Sequence, residues 1–521
     1  MVTRREFLGS SAAAAAALYG APGTSKTPEA ALEKLGAVAL REAKKRKATY
    51  CDIRINRYRN QALSYRATPE PGTGKTLEVP SASDTGSFGV GVRVIADGAW
   101  GFSASPLVTP EEIARVTAEA VEVARGNAAA RGKPVILAPV KSYRDRWSTP
   151  YERNPFDVPI GEKIEMLRAA VAEVKKEKRV FTGTAFMFCS SQDKYFASTE
   201  GSSIQQLVIH MGINLSAGAR DLKQGLFRNR QYSPQTLQIG WEYAGQLNLT
   251  ENAQRVREEV LERLAAPSVK AGKKDLVLLP SHLCLTIHES IGHPTELDRA
   301  LGYEANYAGT SFLTLDKMGK ERVGSGHVTI YGDRTTERGL STIAYDDDGV
   351  KTTKFTIIDK GIFKHYQTIR DQAHLVKEKE SRGCCFADSW SSVPFQRMPN
   401  VWLEAGKPDT TLDDLISGVD DGILIDGTGS FSIDQQRYNF QFGGDAFWEI
   451  KAGKKRGMLS RVAYQSRTTD FWQACDGIAG RSYWQQYGLN GDGKGEPPQS
   501  NSMSHGCSPA RFRQINVLET D

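Results

Sequence analysis

Cysteine is scarce in this 521-residue chain: seven, odd in number and scattered, too few to build a disulfide framework. The pair Cys384-Cys385 reads as packing rather than redox chemistry. Histidine is also sparse, at eight residues. Charge of one sign is missing too, since 67 basic against 61 acidic side chains leave only +6. The short basic runs Lys44-Lys45-Arg46-Lys47 and Lys454-Lys455-Arg456 lack interleaved aromatics, which excludes a nucleic-acid track and leaves solvated surface. No apolar run approaches the roughly 20 residues that cross a bilayer, so no permanent membrane span is expected. No repeat is present, and the one compositional oddity is a polar stretch at residues 491–502, read as a loop. With 40% hydrophobic and 25% charged residues, the remainder is an ordinary globular protein long enough for more than one domain.

The amino terminus reads as an address. Thr3-Arg4-Arg5-Glu6-Phe7-Leu8 is a twin-arginine pattern followed by the weakly apolar residues 12–18. Residues 1–25 are therefore expected to be a signal peptide, and the mature protein to be exported, folded, to the periplasm.

Residues 30–47 have the pattern of an amphipathic helix. Cys51, Ile53 and Ile55 alternate with Asp52, Arg54 and Asn56, as in a half-buried strand. Further strands are expected at residues 62–66 and 87–96. Thr109-Pro110-Glu111-Glu112 has the spacing of a helix start. Helices are expected at 160–178 and 250–264, with strands between 180 and 215. This order gives an amino-terminal α+β domain over residues 28–270. The second domain, 271–521, opens with a strand at 275–279 and a helix from Pro280. It then turns mostly to antiparallel β, with a hairpin about Asp359-Lys360-Gly361 and strands at 400–404, 423–425, 446–451 and 513–518. The expected fold is α+β in two domains.

The most informative segment is His288-Glu289-Ser290-Ile291-Gly292-His293. Two imidazoles and a carboxylate are the groups that hold a divalent metal and work the water on it. The spacing H-E-x-x-x-H is one residue longer than the zinc-protease helix H-E-x-x-H. On a regular helix, residues four apart lie about 40° apart around the axis, whereas residues five apart lie about 140° apart. Gly292 and Pro294 offer a remedy, because a widened π-like turn would return both rings to one face.

Two His need at least a third protein ligand. Glu296, Asp298, His327, His365, His374, Cys475, His505 and Cys507 are candidates. A thiolate is modestly preferred because a metal deprotonates it outright, and Cys507 lies in the Gly-flanked segment Ser504-His505-Gly506-Cys507-Ser508-Pro509.

HESIGHPTELD (residues 288–298) resembles the signature of the TldD/PmbA family of modulator-of-gyrase peptidases, in its active TldD-like branch. The resemblance extends to YCDIRINRYRNQALSYR and GSFGVGVRVIADGAWGFSAS in the first half. It continues through KFTIIDKGIFKHYQ and MPNVWLEAGKPDTTLDDLISGVDDGILI in the second. It implies a peptidase with one zinc ion per chain, held by His288, His293 and Cys507, with Glu289 as general base. Family members commonly follow the Cys with Gly-Lys and a Gln, whereas Cys507 is followed by Ser508-Pro509-Ala510. The resemblance also implies a homodimer, or a heterodimer with a metal-free paralogue, enclosing a site for flexible peptides or unfolded segments.

In such a mechanism Glu296 and Asp298 could orient the His rings. Tyr303, Tyr307, His365 and Tyr366 are possible oxyanion donors. Two other readings compete: a non-catalytic subunit that stabilises a paralogous peptidase, and a hydrolase with Cys507 as nucleophile beside His505. The segment Pro71-Gly72-Thr73-Gly74-Lys75-Thr76 echoes a phosphate-binding loop but lacks its first Gly and the following helix, so it is rejected.

Overall fold

The computed structural model describes residues 29–520 apart from residues 74 and 131. The twin-arginine segment lies outside the described residues.

The first half is built on one seven-stranded sheet. Its strands are β1 (Tyr50–Pro69), β2 (Thr76–Ala96), β3 (Ala99–Ser105), β4 (Arg144–Ser148), β5 (Val180–Ser198), β6 (Ser203–Asp221) and β7 (Leu226–Tyr232), in the order β3-β2-β1-β5-β6-β4 with β7 also on β6. The strands expected at 51–55 and 62–66 are one continuous strand. The phosphate-loop look-alike runs into a strand at Thr76 rather than a helix.

Odd-numbered residues of β1 and β5 face the helices, and two cores form on that single face. Helices α1 (Glu29–Lys45) and α2 (Pro110–Ala128) cover Cys51, Ile53 and Ile55. Helices α3 (Ile160–Val174) and α4 (Leu249–Ala265) cover Leu63, Tyr65 and Ala67 farther along the same strand. Thr109 caps α2 by accepting the Glu112 N–H, as its sequence spacing indicates.

The even-numbered face corrects the half-buried reading. Asp52, Arg54 and Asn56 are as buried as their apolar neighbours, because this face packs on the second half of the chain. Arg93 bridges Asp52 and Asp348, Lys194 pairs with Asp347, and Arg54 donates to the carbonyls of Ser389 and Ser392. Gly91 is required there, since an added Cβ would lie 2.2 Å from the Trp390 carbonyl oxygen.

The second half contains β8 (Gly272–Leu278), α5 (Pro280–Ile287), β9 (Ile330–Asp333), β10 (Lys354–Asp359), β11 (Ile362–Phe363) and the two-residue partners β12 (Cys385–Phe386) and β13 (Phe395–Gln396). Next come β14 (Asn400–Leu403), β15 (Asp421–Asp426), β16 (Phe431–Ile433), β17 (Asn439–Gly443), β18 (Ala446–Lys451) and β19 (Lys454–Leu459). The chain ends with β20 (Val462–Arg467), β21 (Cys475–Ile478), β22 (Gln485–Lys494), β23 (Gln499–Cys507) and β24 (Ala510–Glu519). Two sheets result, ordered β11-β10-β9-β14-β23-β22 and β16-β17-β20-β24-β8-β15-β18-β19, with β21 on β24. Most pairings are antiparallel; β14–β23 and β8–β15 are parallel. Leu283, Ile287 and Ile291 sink the α5 segment into the core shared by these sheets. The stretch at 491–502 is not a loop. It is the β22–β23 hairpin.

Candidate metal centre

Helix α5 does not continue regularly into the His pair. His288–Gly292 forms a π-helical turn in which the His293 N–H donates to the His288 carbonyl, five residues back. This is the geometry that the longer spacing required, and the two rings now lie 4.4 Å apart, centroid to centroid. Gly292 lets the turn press on Met398, whose Sδ would be 2.5 Å from an added Cβ. The carbonyls loosened by the turn and by Pro294 find other donors. Gln367 Nε2 reaches the Gly292 carbonyl at 2.6 Å, and Thr295 Oγ1 reaches that of Ile291 at 2.7 Å.

The third member of the cluster is Asp492, near the end of β22. Its Oδ1 lies 3.7 Å from His288 Nε2 and 3.5 Å from His293 Nε2. Ligand atoms of the three residues all lie within 4.8 Å of one another. Two ligands held tetrahedrally at about 2.1 Å from one ion stand about 3.4 Å apart, so the observed spacing suits a shared ion.

The surrounding hydrogen bonds orient the donors. His505 Nδ1 donates to the Val401 carbonyl at 3.1 Å, leaving its Nε2 to accept from His288 Nδ1 at 2.9 Å. His293 Nδ1 donates to Glu296 Oε2 at 2.9 Å. Both Nε2 atoms therefore face the Asp492 carboxylate, and three potential ligand atoms converge on one point. Such a group suits a cation. Burial pushes His293 down to about 4, with the charge of His288 adding to it, and drives His505 well below its ordinary range. Burial opposes charge on His288 as well, but the Asp492 carboxylate outweighs it and raises that ring. Asp492 itself is held well below the usual carboxylate range; burial works against this, but the His rings and Arg397 prevail.

A second layer locks the site. Arg397 Nη2 donates to Asp492 Oδ2 at 2.9 Å, and Lys494 bridges Glu296 at 3.2 Å and Asp298 at 2.8 Å. Glu289, on the π turn, forms an ion pair with Arg437 in the β16–β17 turn.

The structure thus brings together His288, His293, Glu289 and, as an orienting partner, Glu296. Asp298 touches Lys494 rather than a ring. His505 is also an orienting partner, in contact with His288. Cys507, expected as the third ligand, is not in the cluster. It is buried in the core of the second half with Leu283 and Ile287, and burial, then the neighbouring Cys284, raises its thiol well above the ordinary value. That environment also opposes a thiolate nucleophile beside His505. His327 and His374 are exposed, Cys475 is buried in the core, and His365 pairs with Glu378. Tyr366 donates its hydroxyl to the Leu313 carbonyl, which removes it as an oxyanion donor; Tyr303 and Tyr307 are exposed. The signal for Asp492 was present. The Gly-Lys and Gln expected after a Cys ligand, and missing after Cys507, follow Asp492 as Gly493-Lys494 with Gln499 downstream.

Fold and site define an α+β protein of two packed halves, with a histidine pair and a carboxylate converging from a π turn and a distant hairpin. Family models described as PmbA/TldA metallopeptidase domain 1, central domain and C-terminal domain match residues 78–124, 153–266 and 271–518. The chain belongs to the TldD/PmbA family. A metalloprotease of Methanocaldococcus jannaschii is 27% identical over 432 residues, covering 82% of this chain and 89% of the relative. A protein named zinc metalloprotease TldD homolog from Saccharolobus solfataricus is 22% identical over 264 residues, covering 50% and 55%. The crystal structure of TldE from Thermococcus kodakarensis shares the fold with a TM-score of 0.68 at 18% identity, covering 94% of this chain and all of that one.

Proposed function

We propose that this protein is a zinc-dependent peptidase in which His288, His293 and Asp492 hold the metal and Glu289 is the general base. The observation that carries this reading is the convergence of three acceptors on a common point beside a fourth, carboxylate-bearing residue. Two imidazoles and one carboxylate form a donor set that catalytic zinc sites use, with a position left open. The name of the Saccharolobus relative supports zinc. A bound zinc ion would supply Lewis-acid polarisation of the scissile carbonyl and lower the pKa of its water toward roughly 7. Glu289 then takes the proton of the attacking water and passes it to the leaving amine, which requires its carboxylate to loosen from Arg437. Glu296 and His505 fix the rings through their Nδ1 atoms, and Arg397 aims the Asp492 carboxylate.

The substrates in this reading are flexible peptides or unfolded segments, in a site enclosed by a second subunit, either another copy or a paralogue. The edge of β2 supports pairing with a second chain. Residues 76–87 are exposed, and among the described residues no strand covers their outer side. Export by the twin-arginine route belongs to the same proposal and is supported by residues 3–18. The complete donor set favours an enzyme over a non-catalytic subunit.

The test is Glu289→Gln, measured on an unstructured fluorogenic peptide. The variant is expected to keep its metal and fold while hydrolysis falls by about 10²–10⁴-fold. Undiminished hydrolysis would remove Glu289 from the mechanism.

A further inference from the structure

Between the even face of the first sheet and the second half lies a cavity of about 340 Å³. Its mouth is at Asn60 and Ser500, both exposed, and its walls include Tyr58, Gln192 and Asn501. On its floor are Arg334, 3% exposed, and Ser341, 6% exposed. Among the described residues, Arg334 makes one side-chain hydrogen bond, from Nη2 to the Arg397 carbonyl at 3.3 Å. Its Nε is buried without a partner, as is Ser341 Oγ, and it forms no ion pair. The carboxylates nearby are engaged elsewhere. Asp388 accepts from Ser392 Oγ and the Ser500 N–H, and Asp346 accepts from the N–H groups of Asp348, Val350 and Cys385. Asp346 feels the Arg334 charge but makes no ion pair with it, and burial and Asp348 push Asp346 up to about 7, which weakens it as a counter-charge. The other buried arginines on this interface are matched by carboxylates or carbonyls: Arg93 by Asp52 and Asp348, Arg370 by Glu200, Arg54 by Ser389 and Ser392. A buried guanidinium with no carboxylate in contact is costly, and a cavity polar on its floor is shaped for an anion.

We infer that this cavity binds a carboxylate through Arg334 and Ser341. The site adjoins the metal centre. Asn501 on its wall lies directly across the hairpin from Asp492, and Arg397, whose carbonyl Arg334 touches, holds the Asp492 carboxylate. The ligand is therefore a carboxylate of the peptide substrate, either its chain end or an acidic side chain. This identification of the ligand rests on the peptidase reading.

The test uses three peptides of otherwise matched sequence: one with a free terminal carboxylate, its amide, and the amide with an Asp introduced. Their affinities are measured by calorimetry on the full chain carrying Glu289→Gln, which leaves the peptides intact. At least one acidic peptide is expected to bind about tenfold or more tightly than the neutral amide, and which one identifies the source. Arg334→Met should abolish that preference while leaving the melting temperature equal or higher, because an unpaired buried charge is removed. Ser341→Ala, a milder change, should reduce it. Equal binding of all three peptides, absence of binding, or a preference that survives in Arg334→Met would overturn the inference. Hydrolysis by the unmutated chain is read separately. A preference with no hydrolysis would sink the peptidase reading and leave the carboxylate site in place.

Discussion

Two buried polar clusters of this protein differ in whether they can balance themselves. In the interface between the halves, Arg93 lies between Asp52 and Asp348 with contacts of 2.8 and 2.6 Å, and Lys194 meets Asp347 at 2.7 Å. Arg93 and Lys194 each have their carboxylates within the protein, and these pairs need no ion from outside. At the metal centre, His288, His293 and Asp492 turn lone pairs toward one another while every second-layer group points to their outer sides. That cluster has the donor set to take a cation from outside. Matched buried charge acts as an adhesive between surfaces, whereas unmatched buried charge marks a ligand site.

The largest effect that could break this contrast is expected in the matched cluster. Arg93→Met leaves two buried carboxylates without a counter-charge and should cost about 3–5 kcal/mol of stability, without changing the metal content. Denaturant unfolding of the metal-loaded proteins measures the first and elemental analysis the second. A near-neutral Arg93→Met would show that the interface charges do not hold the halves together. Adding Asp52→Asn and Asp348→Asn should recover part of the loss. A smaller effect is expected at the second layer of the unmatched cluster. Glu296→Ala frees the His293 ring and should weaken metal binding about 10–100-fold, measured by competition with a chelator. Unchanged affinity would mean that Glu296 serves Lys494 and Arg299 rather than the ring.

The parts of the site that were legible in the sequence are those whose chemistry is contiguous. The two histidines, the carboxylate between them and the residues that widen the helix all lie in residues 288–294, and the π turn follows from them. Asp492, the proposed third ligand, was hidden for two reasons. It lies about two hundred residues away, and its residue type differs from the thiolate that metal chemistry favours. The hairpin that carries it was hidden as well. Its Gly and polar residues read as a loop, and its register shifts between Leu489 and Asp492. In the first half, alternation correctly placed Cys51, Ile53 and Ile55 on a core face. The opposite face looked solvated because partners of Arg54 and Arg93 come from residues 348–392, which no local pattern can reveal.

The central claim is that Asp492, rather than Cys507, completes the metal set. Elemental analysis of the purified protein, Asp492→Ala and Cys507→Ala after identical dialysis tests it most directly. One equivalent of metal in the unmutated chain and in Cys507→Ala, with loss in Asp492→Ala, is the predicted result. Full retention by Asp492→Ala with loss from Cys507→Ala would contradict it.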